Sequence, residues 1–217
     1  MTGRADFGLI LVTDRGLCLG RPLETVVEAA VRGGVTCVEL REKALPAPAF
    51  LETARAMKAI LAGRRVPLII NDRVDIALAA GADGVHLGQD DLPGPDARRM
   101  LGTDAVIGLS VEAMDQANAA QGWDVDYLGV SPVFPTPTKT DTRTAWGLDG
   151  LRRLRKATSH ILVAIGGINP GNADQVLEAG ADGLAVVSAI CSAPDPEAAA
   201  RLLRGAVDRH REDARER

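Results

Sequence analysis

A chain of 217 residues with 46% hydrophobic and 25% charged residues can bury one substantial core, and its composition is too ordinary for a disordered or membrane-embedded body. Lys and Arg number 25 against 29 Asp and Glu, for a formal net charge of −4, and aromatics make up only 3%; this argues against a nucleic-acid partner and its stacking platforms. Small polar ligands fit better, and no run approaches the ~20 apolar residues of a transmembrane helix.

The apolar run from Phe7 to Val12 is cut by Thr13-Asp14-Arg15 before signal-peptide length, so no leader is expected. From residue 9 onward, short β-branched apolar runs alternate with amphipathic stretches. In chain order the strand candidates are residues 9–13, 35–40, 66–70, 84–87, 105–109, 125–130, 161–165 and 183–187. Helical patterns occupy residues 23–32, 47–61, 113–121, 148–157 and 172–179, with a last helix near 196–211 and a disordered tail over 212–217. Near-continuous apolarity suits parallel strands buried on both faces and joined by crossover helices. Eight units without an early GxGxxG predict an α/β fold of one domain, a closed (β/α)8 TIM barrel spanning residues 1–217, although shorter than the ~250 residues typical of it.

The phrase Ala-Gly-Ala-Asp-Gly occurs at 80–84 and again at 179–183, each time between a helix and a strand, and Gly33-Gly34 holds a similar position. A glycine just past a helix is the usual left-handed cap, so these repeats mark architecture. Cys18, Cys37 and Cys191 are odd in number and lack metal-ligand spacing, which predicts reduced thiols and a cytoplasmic protein.

Barrel chemistry sits at the C-terminal ends of the strands, and the residues found there are polar. They include Thr13 and Asp14, Arg41 and Lys43, Asn71 and Asp72, His86 with Gln89 to Asp91, Ser110, Gly166 and Gly167, and Ser188. The loops after strands seven and eight form the usual phosphate cradle, here Gly167 with Val187 and Ser188. Arg41, Lys43 and Lys139 cannot share a dry cleft without anions, and a diphosphate supplies them. Asp72 and Asp91 then suit a hard cation such as Mg2+, which takes one or two carboxylates plus phosphate oxygens. The stretch from Ser131 to Thr142, rich in proline and hydroxyls, reads as a long site loop in which Thr136 and Thr138 donate to phosphate. His86 reads equally well as a packed, hydrogen-bonded residue or a site residue, and His160 and His210 as peripheral.

These segments together resemble the thiamine phosphate synthase family: Leu11 to Asp14, Leu40-Arg41-Glu42-Lys43, Ile70-Asn71-Asp72, His86 to Asp91, Gly108-Leu109-Ser110, Phe134 to Lys139 and Ala164 to Ile168. The resemblance spans nearly the whole chain. It implies a transferase joining 4-amino-5-hydroxymethyl-2-methylpyrimidine diphosphate to a thiazole phosphate, with both small molecules as its partners and a homo-oligomer left open. By this likeness Arg41, Lys43, Asn71 and Lys139 grip the diphosphate, Glu39 and Ser110 face the pyrimidine, and Asp72 and Asp91 hold Mg2+. Ser110, Lys139 and Arg41 are the catalytic group, and Thr136, Thr138, Gly167, Val187 and Ser188 receive the thiazole phosphate.

Three positions depart from the family pattern: Glu39 stands where Gln is usual, Ile10 where Tyr is usual, and Val111-Glu112-Ala113 lacks the His common after Ser110. A thiazole tautomerase of the same fold, a non-catalytic phosphate-binding barrel and a sugar-phosphate epimerase stay as alternatives. The retained diphosphate and metal positions favour the synthase.

Overall fold

The computed structural model describes residues 5–136 and 145–216. Strands β1 (Leu9–Val12), β2 (Cys37–Leu40), β3 (Leu68–Asn71), β4 (Gly84–Leu87), β5 (Val106–Val111), β6 (Tyr127–Val130), β7 (Leu162–Ile165) and β8 (Gly183–Val186) pair in sequence order, all parallel. β8 returns to β1 with Ile10 opposite Ala185, which closes the barrel. Around it run α1 (Leu23–Arg32), α2 (Ala47–Leu61), α3 (Val74–Ala80), α4 (Gly94–Leu101), α5 (Met114–Ala119), α6 (Gly147–Ala157), α7 (Ala173–Glu178), α8 (Ser188–Cys191) and α9 (Pro196–Glu216).

Strand alternation sorts the core into two layers. Leu9, Leu11, Val38, Leu40, Leu68 and Ile70 point outward and pack under the helices. Ile10, Val12, Cys37, Ile69, Val106 and Tyr127 point inward and fill the barrel. Both faces are dry, which is why the strands read as unbroken apolar runs.

β2 begins two residues later than its apolar run suggests, because Val35 belongs to the cap of α1. Past α1, Gly34 has φ 106° and Val35 N–H donates to Ala30 O, and the same pattern recurs as Gly81 with Ala82 to Ala77 and Gly180 with Ala181 to Val176. This is the Schellman closure, with the residue after the glycine turned into the core. The aspartate of the repeated phrase is structural as well. Asp83 accepts from Leu68 N–H and Lys58, and Asp182 from Leu162 N–H and Arg155, so each ties one strand's start to the next.

Three helices escape the sequence pattern, α3, α4 and α8, at seven, eight and four residues. Of the residues expected in a tail, 212–216 instead continue α9 to Glu216, and 217 lies outside the described residues. The inner face of α9 buries Ala200, Leu203, Ala206 and Val207, Arg211 grips Asp6 at 2.7 Å, and residues 206–216 contain no Gly or Pro to break it. Among the described residues no helix is long and apolar enough to cross a membrane.

Candidate active site

A cavity of about 1070 Å³ opens at the C-terminal mouth of the barrel, and strand ends and following loops from around the ring line it. It collects Glu39, Arg41 and Lys43 from β2 and its loop, Asn71 and Asp72 from β3, and Asp91 beyond β4. Ser110 of β5, Thr136 beyond β6, Gly167 beyond β7, and Val187 and Ser188 beyond β8 complete the expected set within the described residues. Thr138 and Lys139 lie outside the described residues.

The charged rim is organised in pairs. Lys43 Nζ donates to Asp72 Oδ2 at 2.5 Å, and Arg41 Nη1 reaches Asp14 Oδ2 at 3.4 Å. Asp72 takes a left-handed backbone, φ 64°, which an aspartate tolerates better than most side chains, and its N–H donates to His86 O at 2.8 Å. Asp91 Oδ2 accepts from Gly88 N–H at 2.7 Å. Burial pushes the Asp91 carboxyl above its ordinary range against the pull of the Gly88 N–H, and a hydrogen bond to the adjoining Asp72 carboxyl adds to the push. Two carboxyl groups so close repel unless a proton or a cation lies between them. No cluster of three or more acidic, His or Cys side chains able to hold a metal occurs among the described residues. Two carboxylates at a phosphate-binding mouth fit a hard divalent ion that takes its other ligands from substrate and water, and do not fit zinc.

Beneath the rim lies a polar floor that strand-end reasoning only partly finds. His86 Nε2 is 2.8 Å from Ser110 Oγ and His86 Nδ1 is 2.8 Å from Tyr127 Oη, so both ring nitrogens are engaged while the ring still lines the cavity. The two readings of His86 therefore hold together. Tyr127 is missed by the sequence pattern because it opens β6 instead of ending it, and an inward tyrosine inside an apolar run looks like core. The signal that finds it is glycine. A Cβ on Gly108 would sit 2.2 Å from the Tyr127 ring and 2.6 Å from His86 Nδ1, and one on Gly129 2.8 Å from His86 Cε1, so only glycine admits these rings. Gln89 Nε2 donates to Ser110 O at 2.6 Å and steadies the serine from the rim side.

The opposite wall has the character of a phosphate cradle. Asn172 Nδ2 donates to Gly167 O at 2.9 Å, which sets the peptide that faces the cavity. Ser188 starts α8, and Arg21 fixes that short helix by donating to Cys191 O and Ala193 O at 2.8 Å while its Nε donates to Cys18 O at 3.0 Å. The three cysteines are free and buried, as expected, and none lines this cavity.

Residues 9–190, nearly all of this barrel, match the family model described as thiamine monophosphate synthase. The chain belongs to the thiamine monophosphate synthase family. It is 58% identical over 200 residues to a thiamine-phosphate synthase of Albidiferax ferrireducens, covering 92% of this chain and 91% of the relative. A thiamine-phosphate synthase of Leptospira biflexa is 56% identical over 201 residues, covering 91% and 96%. Among solved structures, the thiamine phosphate pyrophosphorylase of Pyrococcus furiosus superposes with a TM-score of 0.87 at 37% identity, over 95% of this chain and 98% of that one. The cavity described above is thus the mouth of a thiamine monophosphate synthase barrel, with its rim pairs and buried floor contributed by the matched segment.

Proposed function

We propose that the chain condenses 4-amino-5-hydroxymethyl-2-methylpyrimidine diphosphate with a thiazole phosphate, giving thiamine phosphate and diphosphate. The observation that carries this reading is the convergence of Arg41, Lys43, Asp72 and Asp91 on one cavity whose far wall is the Gly167 and Ser188 cradle. That arrangement suits two phosphorylated substrates placed with their reacting atoms between the two anion sites.

In the reaction the bond from the pyrimidine methylene to the diphosphate oxygen breaks, and the electron pair leaves with diphosphate. The ring's amino group shares the positive charge left on the methylene, and the thiazole nitrogen then supplies the electron pair of the new C–N bond. No proton need be removed from either reacting centre, which agrees with a floor built for hydrogen bonding instead of a nucleophile–base pair. Arg41 and Lys43 would stabilise the departing charge, with Asn71 donating to it and Lys139 as a further cation. Ser110, oriented by His86 and Gln89, would lie beside the methylene. Thr136, Thr138, Gly167, Val187 and Ser188 would hold the thiazole phosphate in line. Asp72 and Asp91 would hold a magnesium ion, which when bound neutralises the diphosphate as a leaving group.

The test is diphosphate release by purified protein supplied with both substrates, with and without Mg2+. Release only with both substrates and the metal supports the reading, and none at saturating substrate overturns it. Metal-independent isomerisation of a thiazole phosphate without diphosphate release would assign the chain to the tautomerase activity instead.

A further inference from the structure

Glu39 lies on the cavity floor, 5% exposed, and among the described residues its carboxyl has no cationic partner within hydrogen-bond range. The basic atom facing it, His86 Nδ1, is 3.9 Å away, beyond hydrogen-bond range, and already meets Tyr127 Oη at 2.8 Å. The cations of its own loop are directed elsewhere, Arg41 to Asp14 and Lys43 to Asp72. β1, paired alongside, turns apolar Ile10 and Val12 toward the barrel interior. A carboxylate buried without a cation is costly, whereas a carboxylic acid is a compact neutral group with one donor and one acceptor.

We propose that Glu39 works in its acid form, as the donor and acceptor pair that reads the ring nitrogen and neighbouring amino group of the aminopyrimidine. The inference rests on the proposed reaction and deepens it. The amino-substituted edge presents a lone pair on the ring nitrogen and an N–H on the amino group. The acid's O–H donates to the first and its carbonyl oxygen accepts from the second. A carboxylate offers two acceptors, so it meets the ring lone pair with a second lone pair unless the ring itself takes up a proton. A protonated ring is a poorer stabiliser of the positive methylene, so the acid form serves both binding and bond breaking. A neutral buried acid acting as a donor is an established use of burial.

The charged and titratable groups around Glu39 agree with this state. Burial pushes its carboxyl above the ordinary range; His86 on β4 opposes that push, Asp72 after β3 adds to it, and Arg41 and Lys43 on its own loop oppose it. Cys37 on its own strand and Tyr127 on β6 are themselves held protonated chiefly by burial.

The test uses the full chain and 4-amino-5-hydroxymethyl-2-methylpyrimidine, the free alcohol, which carries no phosphate and needs no metal. Its affinity is measured by calorimetry from about pH 6 to about pH 9 for the native protein and Glu39→Gln. The amide keeps a donor and an acceptor but does not titrate. The expected result is a native affinity that falls about tenfold per pH unit above the Glu39 transition, and a Glu39→Gln affinity that stays level. Because the ligand is the same, its own titration cancels in the ratio. A level native profile overturns the proposal when the infrared carboxylic-acid carbonyl band of the native complex at neutral pH is also absent, whether Glu39→Gln binds equally or has lost affinity; a level profile with the band present, and absent from Glu39→Gln, supports it. Should Glu39→Gln fail to fold, the infrared carboxylic-acid carbonyl band of the native complex at neutral pH decides: present supports the proposal, absent overturns it. Synthase turnover with a level binding profile and no Glu39 acid band sinks this inference alone, while a pH-dependent profile without turnover sinks the proposed reaction alone.

Discussion

His86 Nε2 stands 2.8 Å from Ser110 Oγ while the opposite ring nitrogen stands 2.8 Å from Tyr127 Oη, so one imidazole ties β4 to β5 and β6 across the cavity floor. The ring's tautomer decides which hydroxyl donates and which accepts, and losing either hydroxyl releases the ring's orientation. Tyr127→Phe keeps the aromatic contact with Phe7, whose centroid is 4.7 Å away, and removes only the oxygen. The expected cost is about 1–3 kcal/mol of stability for the unpaired buried nitrogen, with a lowered kcat. Thermal melts and diphosphate release check both, and an unchanged kcat would show that the tyrosine holds the fold without orienting the site.

Asp91→Asn is the cleaner probe of the acidic pair than truncation, because an amide oxygen still accepts from Gly88 N–H, at 2.7 Å in the native chain. It removes charge and keeps the turn. Turnover should fall by about a hundredfold or more with the melting temperature nearly unchanged, and the Mg2+ concentration giving half-maximal rate should rise. Near-native turnover would remove Asp91 from the metal site.

Arg21 donates to carbonyls of both the β1 loop and the α8 end, Cys18 O at 3.0 Å and Cys191 O at 2.8 Å. Arg21→Ala strips these partners at once and should cost about 2 kcal/mol. Since α8 begins at Ser188, the larger kinetic effect should be a raised KM for the thiazole phosphate, with kcat affected less. A change confined to the pyrimidine substrate would contradict the placement of the two anion sites.

Acid stability should report on Asp6, which faces Arg211 and Arg204 where α9 meets the start of β1. Burial alone would raise its pKa, but Arg211, the Gly8 N–H and Arg204 outweigh it and hold the carboxyl at about 2 against an ordinary 3.8. A depressed folded pKa gives stability that is present above the unfolded value and lost as pH falls through the folded one. The native chain should therefore lose this contribution between about pH 4 and about pH 2, and Asp6→Asn should lack that part of the acid transition. Asp6 is partly exposed, so the loss at neutral pH should be only about 1 kcal/mol, measured by denaturant melts. Identical acid transitions for the two proteins would refute the assignment.

The strand ends were legible because barrel chemistry follows position. Arg41, Asp72, Ser110 and Ser188 each stand at or just beyond an apolar run, and a parallel barrel turns all such ends to one mouth. The family segments added the pairing of roles, and the cavity gathers every residue to which they give a role within the described part of the chain, while Thr13 and Asp14 stay outside its lining. What local pattern could not express was depth. Tyr127 begins its strand and His86 sits inside one, so neither marks itself as belonging to a floor.

Local physics written in the residues determined the parallel strands, the left-handed caps at Gly34, Gly81 and Gly180, and the polar rim, because each depends on neighbours a few positions away. Tertiary structure decided the rest. Glu39 on β2, His86 on β4 and Tyr127 on β6 meet only because the sheet closes on itself, and Gly108 and Gly129 leave room for the rings to cross. Burial and mutual distance, which no single segment carries, are what place an ordinary glutamate among buried polar groups on a cavity floor.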